Sequence, residues 1–118
     1  MCMENLTIKD DMRPWGNFKQ FTQNTASTVK IITINPNESL SLQSHEKREE
    51  FWHVMRGEGI FEINGSSYEV VTDDEYYVKK EEKHRMIAGE NGLQILEIAF
   101  GEFDEDDIVR YEDKYGRA

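Results

Sequence analysis

The chain has 118 residues, a length that fits one domain around one core, and its lone cysteine, Cys2, can form no intramolecular disulfide. Against 14 Lys and Arg stand 24 Asp and Glu, a formal charge of -10 that repels a phosphate backbone, so no nucleic-acid partner is expected. No apolar run nears the ~20 residues of a membrane span, and "MCMENLTIKDDMRPWG" lacks the zones of a secretory signal, which together predict a cytoplasmic protein with no membrane contact.

In chain order, residues 1–12 read as an N-terminal arm, followed by short β-type segments: "TVKIITI" (28–34), "SLSLQ" (39–43), "EFWHVMR" (50–56), "GIFEI" (59–63), "SYEVV" (67–71), "EYYV" (75–78), "HRMIA" (84–88) and "LQILEIAF" (93–100). Turn chemistry is expected to separate them at Asn35-Pro36-Asn37, Arg56-Gly57, Asn64-Gly65 and Gly89-Glu90-Asn91-Gly92. Residues 102–118, rich in Asp and Glu, read as a closing segment. Many short strands without helical periodicity predict an all-β fold, a small jelly-roll barrel.

Residues two apart in a strand share a face, so Gln43 and His45 point the same way. On the next strand Glu50, Trp52 and Val54 share one face, and Phe51, His53 and Met55 share the other. If Glu50 faces the lumen with Gln43 and His45, His53 points away, and His45 and His84 remain as candidate metal ligands. A Gln/His/Glu/His set of nitrogen and oxygen donors suits Zn, Mn, Fe, Co or Ni better than a structural thiolate site. By spacing alone the same residues also read as the polar rim of a strand pair, with His84 in the charged loop "KKEEKHR".

The run Leu40-Ser41-Leu42-Gln43-x-His45-x-x-Arg48-x-Glu50-x-Trp52 resembles the signature of the cupin domain of type II mannose-6-phosphate isomerases, the part often fused to a mannose-1-phosphate guanylyltransferase. "RPWG" (13–16) and "VKII" (29–32) resemble the family's opening, His84-Arg85 its second cupin motif, and "EDDIVRYEDKYGR" (105–117) its close. The resemblance implies a cupin double-stranded β-helix in a stand-alone form, one divalent metal ion (Zn first, with Mn, Fe, Co or Ni open), and Gln43, His45, Glu50 and His84 as its ligands. Two departures stand out. Phe51 replaces the His that usually follows the ligand Glu, and Lys79 and Glu81 replace the Pro and Gly that usually lead into the second motif.

The implied chemistry is interconversion of mannose 6-phosphate and fructose 6-phosphate. It needs a Lewis acid at the C1 and C2 oxygens, a base to carry a proton between the two carbons, and cations for the phosphate. Arg48, Arg110 and Arg117 lie in the matching motifs, and arginine offers phosphate a bidentate fork; Lys30 is a further candidate. Glu97 shares a strand face with Ile95 and Ala99 and is a candidate base, alongside a metal-bound water and Glu50. The plainer readings pair Arg48 with Glu46 or Glu49, set Arg110 and Arg117 against the acidic tail, and place Trp52 in the core. A non-catalytic sugar-binding module and another metal-dependent cupin enzyme, such as a dioxygenase, are the competing functions. Phe51, Met55 and neighbouring aromatics form an outer apolar face that predicts a homodimer.

Overall fold

The computed structural model of the chain describes residues 8–113, 115 and 116. Among these residues the regular structure is entirely β: β1 Lys9–Arg13, β2 Gly16–Gln20, β3 Ser27–Ile34, β4 Leu42–Ser44, β5 Arg48–Ile63, β6 Ser66–Val71, β7 Glu75–Val78, β8 His84–Gly101 and β9 Val109–Glu112. Strands β1 and β2 make a hairpin of their own, and the other seven form one antiparallel ladder. Asn64 and Gly65, at φ 50° and 86°, form the two-residue turn that joins β5 to β6, as the dipeptide predicts.

Two long strands organise the ladder. The first half of β5 pairs with the second half of β8, flanked by β7 and β3; the second half of β5 pairs with the first half of β8, flanked by β6 and β4, and β4 leads on to β9. The expected turns at Arg56-Gly57 and Gly89-Glu90-Asn91-Gly92 are therefore corrected, since both stretches run inside unbroken strands. Register slips there instead, between Val54 and Arg56 and between Gly57 and Gly59. Gly57 has φ 89°, and a Cβ on it would lie 2.1 Å from the carbonyl oxygen of Gly92. Glycine at this point serves a bulge and a close backbone approach, which bend paired strands without reversing them.

The bend folds the ladder into a β-sandwich. Trp52 and Phe61 lie on one strand and would stand roughly 30 Å apart if it were straight, yet their rings meet edge to face with centroids 4.8 Å apart. Between the halves Ile34, Val54, Val70, Val78, Met86 and Ile95 are all 5% exposed or less. Burying each such side chain contributes about 1.5–3 kcal/mol against the ordering of the chain.

A second cluster lies on the outer face. Phe51, Ile98 and Phe100 are buried there under Ile8, Phe21 and Tyr77, so the chain itself covers part of the face that was expected to need a second copy. Met55, Val29 and Ile31 stay exposed.

Candidate metal centre and cavity

Alternation along β5 turns Glu50 and Trp52 inward, and the Cα pairing of Gln43 with His84 places β4 beside the start of β8. These elements and residues of the closing segment line a cavity of about 230 Å³. Gln43, His45, Arg48, Glu50, His84, Glu97, Lys30 and Arg110 all face it. Arg117 lies outside the described residues.

His45, Glu50 and His84 are buried, and one donor atom from each can be chosen so that all lie within 4.8 Å of one another. Nε2 of His45 is 3.5 Å from Oε2 of Glu50, and Nε2 of His84 is 3.6 Å from Oε1. Donors about 2.1 Å from a shared ion stand at about this separation when their directions open to a near-tetrahedral angle. Both imidazoles are oriented through the other nitrogen. Nδ1 of His45 is 2.6 Å from the Asp107 carbonyl oxygen, and Nδ1 of His84 is 2.9 Å from that of Glu82. A proton on Nδ1 donates to the carbonyl and leaves Nε2 with its lone pair aimed at Glu50, the arrangement metal-binding histidines use. Burial holds His45 below its ordinary pKa and so favours the neutral ring, although the Asp107 carbonyl and the Glu50 charge oppose it.

Glu50 is buried, which alone would raise its pKa, but His84, His45, Arg48 and a hydrogen bond from Trp52 Nε1 (3.0 Å) bring it below the usual value. Trp52 is thus both core, as preferred from sequence, and a positioning group for the carboxylate. Glu97 moves the other way. Burial and the neighbouring Glu50 charge push it up to about 8, against the pull of Lys30 and Arg48.

The cations differ in how they are held. Arg48 turns inward, with Nε 3.0 Å from Oε2 of Glu50 and Nη2 3.1 Å from Nε2 of His45, in place of the surface pairing with Glu46 or Glu49 that the plainer reading proposed. Lys30 meets Glu105 at 3.6 Å and lies over Phe103. Arg110 faces the cavity from β9, opposite Gln43 in the ladder, and no hydrogen-bond acceptor among the described residues reaches its buried Nε.

Two positioning groups escaped the sequence reading. Asp107 sits in an acidic run that reads as a solvated face, yet its carboxylate accepts from the backbone N–H groups of Glu46 and Lys47 while its carbonyl orients His45. Glu81 has φ 69°, its N–H donates to the His45 carbonyl at 2.7 Å, and the turn it shapes presents the Glu82 carbonyl to His84. The family resemblance marked this position as one where glycine is usual, which was the available signal.

A β-sandwich with two imidazoles and a carboxylate turned into one cavity is the architecture of a cupin. A cupin protein from Bacteroides fragilis shares the fold at TM-score 0.60 and 20% identity, over 70% of this chain and 75% of that one. The capsular polysaccharide assembling protein CapF from Staphylococcus aureus does so at TM-score 0.67 and 15% identity, over 90% of this chain and 33% of that one. Residues 3–113 match the model of the family described as "Mannose-6-phosphate isomerase C-terminal", and the chain belongs to that family. It is 34% identical over 116 residues to a mannose-1-phosphate guanylyltransferase of Salmonella montevideo, which covers 97% of this chain and 25% of the relative. With the alginate biosynthesis protein AlgA of Pseudomonas putida it shares 36% over 107 residues, 89% of this chain and 22% of that one. The chain thus spans about a quarter of the length of these relatives. No helix among the described residues is long and apolar enough to cross a membrane.

Proposed function

We propose that the chain is a metal-dependent sugar-phosphate isomerase that interconverts mannose 6-phosphate and fructose 6-phosphate. The observation that carries this reading is the convergence, in one cavity, of a buried His–Glu–His donor set and an arginine, Arg110, whose buried Nε has no protein acceptor among the described residues. His45, Glu50 and His84, with Gln43 beside them, would hold one divalent ion, for which Zn fits the donors and Mn, Fe, Co and Ni are compatible. When bound, that ion supplies Lewis-acid polarisation of the sugar oxygens.

The chain's own residues account for the rest. In the aldose-to-ketose direction a proton leaves C2, its electron pair forms the C1–C2 double bond of an enediolate, and a proton returns at C1 while the hydroxyl proton passes from O2 to O1. Glu97 faces the cavity next to Glu50 with its pKa raised toward neutrality, the range in which a carboxyl can both take and return a proton. Arg48, a donor only, stabilises negative charge on oxygen. Arg110 binds the phosphate, with Lys30 and Arg117 in support, and so fixes the sugar relative to the donor set. We further propose a cytoplasmic homodimer that uses the exposed Val29, Ile31 and Met55 face; a monomeric mass by light scattering would count against it.

A coupled isomerase assay on metal-reconstituted protein tests the reaction. Arg110→Ala should weaken sugar-phosphate binding by roughly thirty- to hundredfold, about 2–3 kcal/mol, and leave binding of the unphosphorylated sugar nearly unchanged. Equal losses for the two ligands, measured by calorimetry, would remove Arg110 from the phosphate site. The relatives named as guanylyltransferases favour one alternative, a sugar-binding module that accompanies a nucleotidyltransferase. Saturable sugar binding without turnover on any divalent metal would select it.

A further inference from the structure

The Arg48 guanidinium occupies the same lone pairs that a metal ion would need. Its Nη2 stands 3.1 Å from Nε2 of His45, and its Nε donates to Oε2 of Glu50 at 3.0 Å. An imidazole nitrogen has a single in-plane lone pair. With the Nδ1 proton of His45 directed at the Asp107 carbonyl, Nε2 accepts from Arg48 or binds a cation, and cannot do both at once. Carboxylate oxygens have lone pairs to spare, so His45 is where the two compete.

We infer that Arg48 is a resident counter-cation of the donor set, that a divalent metal must displace it from His45, and that the displaced guanidinium then serves as an anion-binding group in the cavity. The inference rests on the metal reading of His45, Glu50 and His84 and is independent of isomerase activity. Charge supports it. With Arg48 in place, one cation balances Glu50; a divalent ion beside the same guanidinium would put two like-charged groups in a buried pocket, where repulsion is weakly screened. The cavity is the open side. Arg48 already faces it and stacks on Phe103 of the closing segment at 4.4 Å, a contact that leaves the guanidinium edge free to turn. Metal and an oxyanion would then bind cooperatively, because each favours the outward position of one side chain.

The test uses full-length protein stripped with a chelator, then titrated with Zn and, separately, with inorganic phosphate. Arg48→Met, which keeps most of the aliphatic stem, should bind Zn roughly ten- to hundredfold tighter than wild type, the reverse of what loss of a merely structural buried residue would do. In isotope-labelled wild type, the Arg48 Nε–H resonance, assigned by through-bond correlation to its own backbone, should shift on adding Zn, and shift further on adding phosphate. The second measurement needs only that the wild type folds. Equal Zn affinity in the two proteins, or an Arg48 resonance unmoved by saturating Zn, overturns the inference while leaving the metal site standing. If neither protein binds Zn, Mn, Fe, Co or Ni, the metal reading fails and takes the inference with it.

Discussion

The two faces of β5 put similar side chains to different uses. Inward, Glu50 meets His45 and His84, whose Nδ1 atoms are engaged by backbone carbonyls and whose Nε2 lone pairs converge. Outward, His53 has a carboxylate at each nitrogen, Glu75 Oε2 2.7 Å from Nδ1 and Asp73 Oδ1 3.5 Å from Nε2. Glu75 also receives Lys19 of the β1–β2 hairpin at 3.0 Å, and the Phe21 and His53 rings meet in a T-shaped contact. An imidazole presented to carboxylates from both sides fastens strands together. One anchored by a carbonyl at Nδ1 turns an unprotonated Nε2 toward the cavity, where a donor or a cation can use it.

The largest effect expected from breaking this comparison is on metal content. His45→Ala or His84→Ala should lose most bound divalent metal, more than about a hundredfold in affinity, while the sandwich core stays folded. His53→Ala should leave metal content unchanged and instead loosen the hairpin, seen as faster amide exchange in β1 and β2. Elemental analysis of the three variants decides between the two roles. Similar metal loss from His53→Ala would erase the distinction.

The next effect sharpens the inner face alone. Glu97 titrates near 4.5 in an unfolded chain and at about 8 in the folded one, so the native state keeps the proton longer. Its contribution to stability is therefore full below pH 4.5, declines as pH rises, and is gone above pH 8. Glu50 shifts in the opposite direction and acts below 4.5, outside that window. His45, held below 6.5, opposes the Glu97 effect as pH rises toward 6.5, so in metal-stripped protein the fall in stability by urea denaturation should show between about pH 6.5 and pH 8, where each tenfold difference in proton affinity between the folded and unfolded chain is worth ~1.4 kcal/mol. Glu97→Gln should flatten that slope, and an unchanged slope in the variant would assign it to other groups.

The smallest effect concerns the turn that serves both inward histidines. A glutamate at φ 69° is held in a region that glycine adopts without steric cost. Glu81→Gly should preserve the bond to the His45 carbonyl and raise stability by about 0.5–1 kcal/mol, after the extra freedom of glycine in the unfolded chain is subtracted. A lowered denaturation midpoint would show that the Glu81 side chain contributes something the backbone does not.

Which residues could share a face was legible along the chain, because strand alternation is a local property with a period of two. Alternation paired Gln43 with His45 and set Glu50 and Trp52 against Phe51 and His53, and the dipeptide Asn64-Gly65 marked a hairpin turn. Features that depend on distant chain emerged only on folding. Gly57 and Gly92 read as turns because chain reversals and bulges ask for the same glycine conformations, and only strand pairing tells them apart. Strand β1 fell across the arm and the opening motif, and β2 in a stretch given no element, since a two-stranded hairpin has too few apolar positions to stand out. Arg48 had acidic neighbours at Glu46 and Glu49 in sequence, but strand geometry carried its guanidinium to Glu50 and to a histidine three positions back. Asp107 reached His45 across 62 positions. Ion-pair and hydrogen-bond partners are chosen by proximity in space, and a linear reading ranks only those close along the chain.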